Sequence, residues 1–182
     1  SYEIAVSITL VSLILTAGTL NLVGIVEAQR DAGIWFGFLQ PVALVLVFIG
    51  GLAETNRVPF DLPEAETELT GGFHTEYSGM RFSLFFLAEY ANIIVISAVV
   101  VIMFMGGWMA PFPNVPAFDF FEIIPGWIWF IGKIFVFLYV FIWLRATLPR
   151  YRYDQLMNIG WKVLIPIALG NLVITGIAKV VF

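Results

Sequence analysis

Apolar runs of about 20 residues recur along this chain, and few folds can accommodate them. A hydrocarbon core about 30 Å thick takes about 20 helical residues to cross. The runs cover 4–23, 35–53, 82–105, 126–144 and 161–182. The chain is 60% hydrophobic and only 12% charged, about half the charged share of soluble domains. Regular ten-residue alternation is missing, which argues against a transmembrane barrel. The sequence therefore predicts an all-α fold, a polytopic membrane helix bundle forming a single membrane domain over 1–182.

Composition also removes chemistries. The chain has no cysteine, so it supplies no thiolate for an iron–sulfur cluster, no disulfide and no thiol nucleophile. A net charge of −4 without a basic patch argues against nucleic acid as a partner. Residue 1 is serine, and the first apolar run begins almost at once, without a charged n-region or an A-x-A site. The expectation is the C-terminal part of a longer subunit.

The segment 54–81 breaks the apolar pattern. Together with the start of the third run it holds seven of the thirteen acids: Glu54, Asp61, Glu64, Glu66, Glu68, Glu76 and Glu89. Arg57, Arg81 and the sole histidine, His74, lie there too. Asp61-Leu62-Pro63-Glu64 has the form of a helix start, with Asp61 as N-cap and Pro63 in the first turn. A short surface helix would end at Gly71-Gly72. Glu64 and Glu68, four apart, share a face of it, and Glu66 points elsewhere. Like charges at that spacing repel, so local stability does not explain them. Close carboxylates in a poorly hydrated place raise each other's pKa and can share a proton. A solvated acidic surface helix is the plainer alternative.

Charges inside the apolar runs are few. Glu89 lies some two turns into the third run, where an acid costs about 2.5–3.5 kcal/mol on insertion scales unless it faces a cavity or a partner. Glu3 is either a dipole-favoured acid at a helix N-terminus or an acid facing a polar cavity. Lys133 needs a partner; pairing with Glu89 and snorkelling to the interface are the two options. Residues 24–33 read as a short polar link. Pro41 and Gly50-Gly51 would loosen or kink the second run, or the glycines would let a neighbour come close. Arg57, Arg81, Arg145, Arg150, Arg152 and Lys162 alternate to one side, leaving Arg30 on the other. By the positive-inside rule the acidic segment and the Arg145–Arg152 cluster face the cytoplasm or the mitochondrial matrix.

The stretch ETNRVPFDLPEAETELTGGFHTEYSGMRFSLFFLAEYANI closely resembles the signature of the H-type membrane subunit of proton-translocating NADH:quinone oxidoreductase, respiratory complex I. SYE at the start and LRATLPRYRYDQLM…WK near the end match the same family in order. The resemblance implies an eight-helix subunit, with these five runs as its last five. It implies a role in building the quinone chamber and coupling quinone reduction to proton translocation. Glu54, Arg57, Asp61, Glu64, Glu66, Glu68 and Glu76 would face the chamber. Glu3, Glu89 and Lys133 would begin a proton path, and Arg145, Arg150 and Arg152 would line the inner surface. Quinone would be the substrate, bound at the interface with soluble subunits. NADH, FMN and the iron–sulfur clusters would belong to partner subunits. Partners would include the soluble quinone-site and iron–sulfur subunits, small membrane subunits beside the antiporter-like arm, and the lipid bilayer. The location implied is the bacterial inner membrane or the mitochondrial inner membrane. The nearest rival is the equivalent subunit of a membrane-bound hydrogenase or formate hydrogenlyase complex. A stand-alone ion transporter would lack an internal repeat here, and a purely structural anchor would leave Glu89 unexplained.

Overall fold

In the computed structural model, residues 2–55, 59–60, 79–111, 123–149 and 151–181 are described, and their regular elements are all helical. In chain order these are α1 (Tyr2–Ala17), α2 (Leu22–Ala32), α3 (Phe36–Leu39), α4 (Pro41–Glu54), α5 (Met80–Phe104) and α6 (Gly126–Thr147). A final rod comprises α7 (Tyr153–Ile159), a π-turn (Gly160–Leu164) and α8 (Ile165–Val181). By length and apolarity α5, α6 and the rod can each cross a bilayer, and α1 with α2 pass the same test only together, as a pair bent by 56°. The chain is a polytopic helical membrane protein.

The first run, 4–23, is not one helix. Gly18 takes a left-handed conformation (φ 72) that ends α1. Asn21 restarts the helix by accepting the Val23 N–H at 3.1 Å. Residues 24–33, read from sequence as a polar link, are thus mostly helical. The reason is one-sided burial: Ile25, Val26 and Gln29 are buried, while Glu27, Arg30 and Asp31 are exposed. Gly33, again left-handed (φ 67), closes α2 through its N–H to the Arg30 carbonyl.

The second run is divided at Gln40. Pro41 begins α4, where its missing N–H removes no helical bond. Gly50 and Gly51 do not break α4. A Cβ on Gly50 would fall on the Val6 side chain, and one on Gly51 would come within 2.6 Å of Ile96 Cγ2. The pair admits α1 on one side and α5 on the other. In the last rod Pro166 has no N–H, and the Ile165 N–H reaches back to the Gly160 carbonyl.

Helix α1 packs most extensively against α8 and α4. Ala5, Leu46, Leu164 and Ala168 form the core of that trio. Leu13, Ile25, Phe36, Val47, Val100 and Phe104 fill the end where α1 turns into α2. Leu52, Ala53, Phe60, Ile93 and Phe141 fill the opposite end, where α4 runs into the acidic segment.

Candidate functional site: the two ends of the bundle

At the acidic end, Glu3 sits in the first turn of α1 and Glu54 closes α4, both exposed. The Tyr2 phenol is within electrostatic reach of both. Beyond Glu54, Pro59 and Phe60 are buried. The Tyr151 N–H donates to the Pro59 carbonyl at 3.1 Å. The Phe60 and Tyr151 rings lie 6.0 Å apart. The basic stretch after α6 is thereby stitched to the first residues of the acidic segment. Beneath the stitch is a cavity of about 150 Å³ walled by Tyr2, Ala53, Phe60, Leu156, Met157 and Leu164.

Glu89 is half-buried on α5. Arg145 is in the last turn of α6 and, with Tyr90, lines an apolar cleft of about 200 Å³ between α5 and α6. Arg152 is exposed just before α7, its N–H bonded to Gln155 Oε1 at 3.2 Å. Arg57, Asp61, Glu64, Glu66, Glu68, Glu76 and Arg150, and the expected surface helix, lie outside the described residues.

Lys133 belongs to the other end. It is 8% exposed. Its Nζ donates to the carbonyls of Met105 (2.7 Å), Gly107 (3.1 Å) and Met109 (2.6 Å). It also stands 4.5 Å above the centre of the Trp35 ring. So its partners are backbone carbonyls, in place of the expected Glu89 or interfacial water. Among the described residues these carbonyls have no helical donors, because α5 has ended and the chain turns through Gly106 (φ 70) and Gly107 (φ 54).

A second residue completes this cap, and sequence reasoning missed it. Gln29, fully buried on α2, donates from Nε2 to the carbonyls of Ile102 (3.0 Å) and Met103 (3.2 Å). Its Oε1 accepts the Phe36 N–H at 3.1 Å. Gln29 answers the last carbonyls of α5, and Lys133, from another helix, answers those of the turn that follows it. The available signal was Gln29 sharing the Ile25–Val26 face, where a polar residue has to find partners.

Gln40, between α3 and α4, is another buried polar residue at this end, 7% exposed. Its amide meets the hydroxyls of Thr16 on α1 and Thr175 on α8. Ser12 of α1 accepts from Asn171 Nδ2 at 3.0 Å. A polar seam therefore joins α1 to α8 through the outer part of an otherwise apolar contact.

A bundle of lipid-length helices, with acids and a basic stretch drawn together at one end and a buried cation capping a helix at the other, defines the class: a polytopic membrane subunit with a polar face. Comparison with known proteins supplies the family. The sequence profile described as NADH dehydrogenase matches residues 1–176, and the chain belongs to that family. It is 50% identical over its full length to the H-type subunit of NADH-quinone oxidoreductase from Rhodospirillum centenum, covering 52% of that protein. It is 50% identical to an H-type subunit of the same enzyme from Geobacter sulfurreducens, over 97% of this chain and 48% of that protein. It is 51% identical to the H-type subunit from Rickettsia typhi, over 96% of this chain and 50% of that protein. The chain thus spans about half the length of the curated relatives it matches.

Proposed function

We propose that this chain is part of the membrane subunit of a proton-translocating NADH:quinone oxidoreductase, and that its acidic end walls the chamber in which quinone is reduced. The observation that carries the reading is the stitch between Pro59 and Tyr151. It fixes the root of the acidic segment to the bundle end that holds Glu3 and Glu54, directly above apolar residues. A quinone needs this kind of boundary, with apolar walls for its tail and titratable groups for the two protons its reduced head takes up.

Glu54, Arg57, Asp61, Glu64, Glu66, Glu68 and Glu76 are the proposed chamber groups. Electrons arrive from iron–sulfur clusters in soluble partner subunits, which also carry the NADH and FMN chemistry; this chain has no cysteine to ligate such a cluster. Reduction changes the charge and proton demand at the chamber, and carboxylates near one another answer by shifting protonation. Glu3 and Glu89 carry the change toward the membrane arm. Lys133, with its ammonium committed to three carbonyls, stands at the far end of this path as a fixed positive charge. Arg145, Arg150 and Arg152 hold the acidic segment and the soluble arm at the inner surface of a bacterial or mitochondrial inner membrane. The relatives are named for quinone as acceptor, which favours this reading over the hydrogenase type.

The test is Glu64→Gln, Glu68→Gln and Glu3→Gln in the assembled complex in its own membranes. Each is expected to lower NADH-driven quinone reduction and proton pumping several-fold, while NADH oxidation by an artificial acceptor, which reports assembly, stays unchanged. Wild-type quinone turnover and pumping in all three would overturn the proposal.

A further inference from the structure

At the end opposite the acidic segment, a cleft of about 410 Å³ opens between α1, the α3–α4 joint and α8. Thr16, Gln40, Asn171, Thr175 and Lys179 are its polar lining, and Leu39, Ile174 and Ala178 supply the apolar remainder. Asn171 is ten residues before the end of α8, so the cleft reaches about 15 Å along a lipid-length helix.

The hydrogen bonds within the cleft have fixed directions. Thr16 gives its hydroxyl proton to the Ser12 carbonyl at 3.1 Å. Thr175 gives its proton to the Asn171 carbonyl at 2.8 Å. Both hydroxyl oxygens can then only accept, and both face the Gln40 amide. This orients the amide: Nε2 must point at the two threonines and Oε1 away from them. Among the described residues no group donates to Oε1, although the atom is buried. An unanswered buried acceptor costs about 1–3 kcal/mol.

The lining selects the ligand class. Oε1 requires a donor. A cation would meet the Lys179 ammonium on the same cleft, with no carboxylate among the lining groups. An anion would meet Oε1 and threonine hydroxyls whose protons are already given away. A neutral molecule that both donates and accepts satisfies every polar group, and water does so at the smallest size. At about 30 Å³ per water the cleft holds several.

We propose that this cleft is a water-filled vestibule, with water donating to Gln40 Oε1, that brings solvent from the Lys179 end of the bundle to the Ser12–Asn171 pair. Its inner limit is Asn171, whose amide is held by the fully buried Ser12 hydroxyl. The vestibule is thus a blind polar port on the face opposite the proposed chamber, and it does not depend on the chamber reading.

The chain's lack of cysteine makes introduced thiols unique within it. Thr175→Cys, Asn171→Cys and the conservative Ala178→Cys would be made in the assembled complex. Sealed vesicles exposing the Lys179 face would be treated with a membrane-impermeant methanethiosulfonate ammonium reagent. Val173→Cys and Ile177→Cys, on α8 but outside the cleft, are the controls. Labelling at 175, 171 and 178 is expected to be at least tenfold faster than at 173 and 177. Adding Gln40→Leu, which removes the orphan acceptor and the amide together, should slow labelling of Asn171→Cys several-fold. Equal rates at cleft and control positions would refute the vestibule. So would unreactive Ala178→Cys in fully assembled complex, which excludes misfolding as the cause.

Discussion

Replacing Lys133 by Met keeps the unbranched stem and deletes the ammonium. Three carbonyls then lose their donor at once. Hydrogen bonds to a charged group contribute about 1.5–3 kcal/mol each, so the gross loss is roughly 4.5–9 kcal/mol. The contact with the Trp35 face adds about 0.5–2 kcal/mol. Against this, the variant no longer buries an ammonium in the membrane, a gain of about 2.5–3.5 kcal/mol on insertion scales. The balance is a net destabilisation of about 5 kcal/mol. For a domain of this size each kcal/mol moves the midpoint by roughly 2–4 °C, so the expected drop is on the order of 10–20 °C. The assay heats the assembled complex in its membranes and follows the intact fraction on native gels. Lys133→Arg, which keeps charge and donors in a more rigid fork, should recover part of the loss. A Lys133→Met complex that assembles normally and melts within about 2 °C of wild type would refute the capping argument. If that variant also lost proton pumping, the lysine would belong to the proton path alone.

Gln29→Leu should destabilise by about 2–5 kcal/mol, since it strands the Ile102 and Met103 carbonyls and the Phe36 N–H; reduced complex yield on native gels is the measurement. Gly50→Ala should cost about 1–3 kcal/mol because its Cβ would fall on Val6, and adding Val6→Ala should restore part of the assembly; no recovery would mean another cause. Tyr151→Pro removes the N–H that bonds Pro59 and is expected to lower quinone reductase turnover more than it lowers complex yield.

Hydropathy was enough to reveal a helical membrane protein, because lipid forces every backbone group to find its partner within the helix. It was not enough to place breaks. The run 4–23 carries no charged residue, yet Gly18 ends the helix, and a left-handed glycine looks the same in sequence as a helical one. Residues 24–33 hid a helix because charged residues on its exposed face masked the Ile25–Val26–Gln29 face. The need of Lys133 for a partner was legible from its depth. The partner itself was not, since backbone carbonyls carry no signature in sequence. The same holds for the joining of Pro59 to Tyr151, a main-chain bond across ninety-odd positions that only tertiary packing brings about. The acidic carboxylates stood out at once through their clustering, which is a matter of composition.

The π-turn at Gly160–Leu164 inserts one extra residue into an otherwise regular rod. One residue is about 100° of rotation, so the turn acts as the throw of a crankshaft. Leu156 and Met157 on one side of it face the cavity under Phe60, while Asn171 and Thr175 on the other side face the vestibule. Deleting a single residue there would leave both arms helical but swing one of them out of phase. The two faces of the membrane are thus served by one shaft, timed by a single surplus residue.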